Sequence, residues 1–174
     1  AYLPAGVYLI NDTIEIPEDA QLVCSPLAKI RNTSDYYSHF LHATNPNFYI
    51  EGGQWQPLEK DDMDGAIPYT NYIFKFDLVW EGAGDGERKF RRPSMIKNVK
   101  LVGQRAIIDA RRHDSTAKGI HVVAEATQGK NYFTNVNENY FGYLDTALYI
   151  QSTSNGRLNS WMFNASVWDN NVTA

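Results

Sequence analysis

The groups in this chain best able to do chemistry are carboxylates, and no short motif pairs them. Asp109, Glu125, Asp145 and Asp169 fall on or beside short strand-like runs, whereas Glu81, Asp85 and Glu87 fall in a Gly-rich stretch. Cleaving a glycosidic bond takes two carboxyls roughly 5–9.5 Å apart, one kept protonated and one charged. Glu81 and Asp109 are the candidates for that acid/base work, one from a loop and one from the end of a strand. The plainer reading of Asp109 and Asp145 is a turn residue whose side chain caps backbone amides. For the loop acids it is a solvated loop.

Recognition is the other chemistry on offer. Arg111-Arg112-His113-Asp114 is the densest polar cluster, and its guanidinium groups could grip a carboxylate in bidentate geometry. An exposed corner with Arg112 paired to Asp114 is the competing reading. Trp55 follows Gly52-Gly53, and Trp80 precedes the second polar stretch. Exposed aromatic rings stack on the apolar faces of sugars at low entropy cost. Trp55, Trp80, Arg111 and Arg112 are therefore the candidate carbohydrate contacts, while Trp161 and Trp168 read better as cover for a core or a neighbouring subunit. His39, His42 and His121 show no metal-ligand spacing and read as packed or surface histidines. Asp61-Asp-Met-Asp-Gly65 begins like a calcium loop, but Tyr72 stands where the closing Glu belongs. No metal or cofactor is expected.

Composition narrows the class. The 174 residues carry 16 Lys+Arg against 20 Asp+Glu, a net charge of −4 with no basic stripe, which argues against a nucleic-acid partner. The single cysteine, Cys24, excludes an internal disulfide framework. No apolar run approaches the roughly 20 residues that span a bilayer, so no membrane partner is expected. Four Asn-x-Ser/Thr sequons occur at Asn11, Asn32, Asn164 and Asn171, as a chain with 15 Asn would produce by chance. The chain opens in what reads as mid-strand and closes without a terminator, as an internal piece of a longer protein would.

The elements that must position these residues are short strands. Runs such as Val7–Ile10, Gln21–Cys24, Phe48–Glu51, Tyr72–Phe76, Gly119–Val123 and Ala147–Gln151 are separated by Asn, Gly, Pro, Asp or Ser, and helical periodicity is weak throughout. Faint repeats accompany them. Asn47–Gly52 matches Asn98–Gly103 at a shift of 51, Gly119–Val122 matches Ala147–Ile150 at 28, and Asn135 matches Asn164 at 29. Such shifts fit coils of roughly 20–30 residues, hence a parallel solenoid whose corner Asn side chains stack into a ladder. Two polar, Gly-rich stretches, near 57–71 and 81–93, would protrude from the stack as loops. A β-sandwich or jelly roll is the alternative architecture.

A family resemblance then gives the solenoid a hand and a context. Tyr2-Leu-Pro-Ala-Gly-Val-Tyr-Leu-Ile10, Thr13-Ile-Glu-Ile-Pro17 and Gln21-Leu-Val23 resemble the opening coils of the pectate-lyase-like right-handed β-helix superfamily. Val99–Gly103 with Ile107-Ile-Asp109 resembles a later coil of that superfamily. Tyr143–Ile150 followed by Arg157–Asn164 is similar to coils of phage tailspikes and depolymerases. The resemblance implies an all-β, right-handed, single-stranded parallel β-helix of about seven coils. It also implies a virion tail or extracellular location, parallel homotrimers, and binding of a host cell-surface polysaccharide. Whether the protein also depolymerises that glycan, as a glycosidase or lyase, stays open, because the superfamily includes non-catalytic adhesins. The Asn-Thr-Asp and Gly-His-Gly motifs of polygalacturonases are missing, and the Asp61-Asp62 pair lies in a polar stretch instead of on a coil strand; the usual capping helix and opening motif are missing too. A secreted pectin-lyase-like enzyme and a non-catalytic structural spike are the alternatives.

Overall fold

The computed structural model describes residues 1–33, 38–44, 48–58, 69–80, 94–103, 116–126, 134–154, 161–164 and 167–169. Among them there is no helix, and seventeen strands assemble into three sheets. Sheet A holds β1 (Tyr2–Leu3), β4 (Gln21–Cys24), β7 (Tyr49–Glu51), β10 (Ser94–Lys97), β13 (Thr134–Asn137) and β16 (Trp161–Asn164). Sheet B holds β2 (Gly6–Ile10), β5 (Ala28–Asn32), β8 (Gln54–Trp55), β11 (Lys100–Val102), β14 (Tyr140–Gly142) and β17 (Val167–Asp169). Sheet C holds β3 (Ile14–Ile16), β6 (Leu41–Ala43), β9 (Tyr72–Trp80), β12 (Lys118–Ala126) and β15 (Thr146–Ser154). All the strand pairings are parallel, and each strand pairs with the one three places further along the chain, so the chain returns to the same sheet on every third strand. Three parallel sheets connected in this order are compatible with a β-helix.

Alternation decides which side chains face in. On β5 the order Ala28, Lys29, Ile30, Arg31, Asn32 alternates buried and more exposed, as a pleated strand with one wet face requires. The inward positions then stack from rung to rung. Ile30, Trp55, Leu101 and Phe141 form a fully buried column in sheet B, level with one another by strand register. Leu41, Phe74 and Ile120 form another in sheet C, with Leu148 partly buried at its end. The rings interlock where the columns meet: Phe48 stacks on Phe76 at 4.7 Å, and Trp55 meets Phe74 edge-to-face at 5.0 Å. Burying such aromatic side chains is worth roughly 1.5–3 kcal/mol each, which suits a thin core that must be filled at every level.

The corner between sheets A and B shows how the chain turns sharply. Gly52, Asn98 and Glu138 lie level there and share the left-handed conformation, with φ of 76°, 55° and 54°. At Gly52 no side chain fits, because a Cβ would lie 2.0 Å from the Cys24 carbonyl oxygen. Among the described residues no Asn ladder runs through this corner: the next level reads Gly53, Val99 and Asn139. Asn139, buried, works alone, accepting from the Val99 amide at 2.8 Å and donating to the Ile96 carbonyl at 3.1 Å. Asn32 likewise accepts the Leu58 amide at 2.7 Å. These amides tie one rung to the backbone of another instead of to a second Asn.

The register tests the repeats directly. Ile120, His121 and Val122 stand opposite Leu148, Tyr149 and Ile150, as the shift of 28 requires. The shift of 51 is corrected: Ile50 pairs with Ile96 in sheet A, whereas Leu101 pairs with Trp55 in sheet B. Both segments are a strand entering a Gly-containing bend, but at different corners, so similar composition mimicked a repeat. Asn164 stands level with Asn137, two residues from the expected Asn135. Of the stretch expected to protrude near 57–71, the ends belong to the core: Tyr69 is buried and donates its hydroxyl to the Ser38 and Tyr72 carbonyls at 2.7 and 2.9 Å. Residues 59–68 and 81–93 lie outside the described residues.

Candidate functional site on the outer face of sheet C

Sheet C has the longest strands, since β9, β12 and β15 each run nine residues. Its inward positions are apolar, so the alternate positions face outward. One outward row reads Glu15, His42, Lys75, His121 and Tyr149 across five strands, and the next reads Asp77, Val123 and Gln151. Tyr72, at the start of β9, lies against the first row. Polar, ionisable and aromatic side chains are therefore gathered on one surface by residues distant in sequence.

The strip has two halves. In the first, His42 is clasped by two carboxylates: Nδ1 meets the two Glu15 oxygens at 3.1 and 2.9 Å, and Nε2 meets Asp77 Oδ2 at 3.0 Å. Lys75 Nζ adds a 2.8 Å contact to the same Asp77 oxygen. Burial pushes the Asp77 carboxyl up, but the hydrogen bonds from Lys75 and His42 outweigh it and hold the group below its ordinary value. Asp77 is thus a fixed negative charge, poorly suited to give up a proton as a general acid. His39 lies close by and donates from Nδ1 to the Tyr72 carbonyl at 2.9 Å. Burial, with help from Lys75 and His42, lowers its pKa against the opposing pull of that hydrogen bond and of Asp77.

The second half is aromatic. His121 packs against two tyrosines, with ring centroids 4.7 Å from Tyr72 and 5.1 Å from Tyr149, which are 6.5 Å from each other. Lys118 Nζ sits 5.4 Å from the centre of the Tyr72 ring, within cation–π range. Tyr149 is 46% exposed, so part of its ring is open to an incoming ligand. The His121 Nε2 atom is buried and meets no hydrogen-bond partner among the described residues.

The residues singled out by sequence fall elsewhere. Trp55 is a correction: it is fully buried on β8, and its indole N–H donates to the Gly52 carbonyl at 3.2 Å, so its ring is unavailable to a sugar. The preceding glycines suggested an exposed edge, but they serve the sheet A–B corner, after which Gln54 stays half-exposed and Trp55 turns inward. Trp80 ends β9, opposite Ala126, on the strand that carries Tyr72, Lys75 and Asp77; its side chain lies outside the described residues. Glu81, Asp109, Arg111 and Arg112 also lie outside them. Asp145 stands at a bend just before β15: its backbone amide donates to the Ala117 carbonyl at 2.8 Å, and its carboxylate accepts from the Thr146 hydroxyl at 3.2 Å and not from the backbone amides expected of a capping turn residue. No group of three or more metal-ligating side chains set to hold an ion occurs among the described residues. The strip itself escaped sequence reasoning, although the shift-28 repeat had already set His121 against Tyr149.

Fold and strip together define a class: a stacked-strand, all-parallel β protein with an aromatic and ionic strip on the outside of one sheet. Comparison adds no relative to that description, since no protein-family model, no curated protein and no solved structure matches the chain.

Proposed function

We propose that this chain is a tailspike-type segment of a right-handed parallel β-helix that binds a host cell-surface polysaccharide along the outer face of sheet C. The observation that carries the reading is the run of Tyr72, His121 and Tyr149 rings beside the charged Lys75–Asp77 pair. Sugars need that mixture: flat apolar faces for their C–H groups and fixed donors and acceptors for their hydroxyls. A flat sheet also suits a polymer, because outward side chains repeat about every 4.8 Å across strands and about every 7 Å along them. The resemblance of Tyr143–Ile150 and Arg157–Asn164 to tailspike coils favours a virion or extracellular setting and a homotrimer, and the repeat spacing and polar stretches favour about seven coils with protruding loops. The described strip is a binding surface and not a hydrolytic one, because its best-placed carboxylate is locked in charged hydrogen bonds. Cleavage, if the protein performs it, falls to residues such as Glu81 and Asp109.

The test is binding of the full chain to a broad panel of bacterial surface glycans, with mass spectrometry of any products. Tyr149→Ala should weaken binding about fivefold or more, since truncating an aromatic anchor at an interface costs upward of about 1 kcal/mol, while leaving the circular dichroism spectrum unchanged. Absence of binding across the panel, or equal binding by the variant, overturns the proposal. Binding without products assigns the protein to the non-catalytic spikes, and products from a plant glycan alone favour the secreted pectin-lyase-like alternative over a virion role.

A further inference from the structure

We propose that the Tyr72–His121–Tyr149 stack is a proton-operated latch: adding a proton to His121 opens the stack and remodels the outer face of sheet C. The latch itself does not depend on the polysaccharide reading above, while its consequence for ligand binding rests on it.

The imidazole is half-buried in an aromatic cluster. Its centroid lies 4.7 Å from Tyr72 on β9 and 5.1 Å from Tyr149 on β15, and the two phenol rings are 6.5 Å apart, so the three rings form a triangle in which the tyrosines crowd the imidazole from adjacent directions. The charged and polar groups that bear on it are Lys75 and Asp77 from β9, Lys118 from its own β12, and Gln151 from β15. Asp145, at the entrance to β15, acts on Tyr72. A neutral ring tolerates this setting, because only one buried nitrogen, Nε2, goes unpaired. A doubly protonated ring does not, because a cationic N–H would then lie in the protein without an acceptor, at a cost well above that of an unpaired neutral group.

Opposing forces are present and can be weighed. Two phenol faces attract a cation, Asp77 lies on the favourable side, and Gln151 hydrogen-bonds the ring. Against them stand burial, the largest effect, and the ammonium groups of Lys75 and Lys118. Asp77 is also already engaged by Lys75 and His42, which blunts its pull. The balance lies with the neutral ring, held below the ordinary histidine value. On acidification the proton therefore arrives late, and the ring must swing toward water to solvate it. That movement separates His121 from at least one tyrosine and exposes a second cationic group beside Lys75.

Proton NMR of the full chain from about pH 8 to about pH 5 tests the latch, because free histidine titrates in the middle of that range. The His121 ring signal should titrate below the ordinary histidine value, and the Tyr72 and Tyr149 ring signals should move with the same midpoint. In His121→Gln that midpoint should vanish from both tyrosines. In the Lys75→Gln, Lys118→Gln double variant it should move to higher pH. Tyrosine signals that stay still through the His121 transition, or that keep it in His121→Gln, overturn the latch. Once a glycan is in hand, its affinity should fall about tenfold or more across the same midpoint for wild type and stay level in His121→Gln, one pKa unit of coupling being about tenfold in binding. Level affinity in the wild type overturns the regulatory role. Failure of every glycan to bind sinks the polysaccharide reading and leaves the latch to be judged on the tyrosine signals.

Discussion

Replacing Trp55 by Ala separates the two jobs that its position could have implied. The indole is fully buried, level with Ile30 and Leu101, edge-to-face with Phe74 at 5.0 Å, and its N–H is satisfied by Gly52. Truncating a buried Trp to Ala typically costs about 3–5 kcal/mol, and the lost edge-to-face pair alone accounts for about 0.5–1.5 of that. For a domain of this size each kcal/mol lowers the melting temperature by about 2–4 °C, so the variant should melt roughly 6–20 °C early. Because rungs contact only their neighbours, a gap in the third rung should also loosen the coupling between the first rungs and the later ones. Urea unfolding followed by both circular dichroism and tyrosine fluorescence measures both effects, as a lower midpoint and as two probes that no longer coincide. A variant that unfolds like wild type but loses glycan binding would refute the core assignment and restore Trp55 to the surface.

Three further outcomes follow from the same contacts. Asn139→Ala leaves the buried Val99 amide without its acceptor and should destabilise the chain by about 1–3 kcal/mol in urea, whereas any exposed Asn→Ala change should sit within about 0.5. Cys24 is buried, and that burial pushes its thiol up to about 11, so alkylating reagents at neutral pH should modify it only at the rate at which the fold opens; rapid labelling of the native chain would contradict this. Acid should destabilise the chain in two windows. His39 and His121 are both held below the ordinary 6.5, so the unfolded chain takes up protons first, and the stability they support is full above pH 6.5 and falls below it. Asp77 is held below 3.8, so its contribution persists above that value and is lost only as pH falls through its lower native pKa. A urea midpoint that stays flat between about pH 7.5 and about pH 5 would refute the first window.

How much of this was legible beforehand follows from what each signal measures. Strand-like runs and the shift of 28 were visible because an inward column demands apolar residues at fixed spacing, and Ile120–Leu148 and Val122–Ile150 supply them. The shift of 51 misled because corners select Gly and Asn wherever they occur, so Gly52 and Gly103 looked equivalent although one serves the sheet A–B corner and the other follows β11. Trp55 misled for a related reason: a Gly-Gly pair marks a sharp bend but not which of the residues after it turns inward, here Trp55 and not Gln54. The strip on sheet C could not be read from composition, since Glu15, His42, Asp77 and His121 become neighbours only through register set by connections of unequal length.

Those unequal lengths are also why function should gather on sheet C. From Leu22 to Ile50 to Ile96, level positions in sheet A are 28 and then 46 residues apart, so the connections absorb wide variation while the stacking stays fixed. A solenoid core accepts little change at Ile30 or Leu101, where any ring or branch must match the rung above and below. Outward positions carry no such demand, and only a nine-residue strand offers several on one side. The longest strands, β9, β12 and β15, are therefore where substitutions can build a polymer-binding surface without disturbing the stack, and Tyr72, Lys75, Asp77, His121 and Tyr149 all lie there. Replacing outward residues on sheet B, such as Lys29 or Lys100, should accordingly leave glycan affinity unchanged in the binding measurement that Tyr149→Ala impairs, and an equal loss from both faces would show that the ligand is not confined to sheet C.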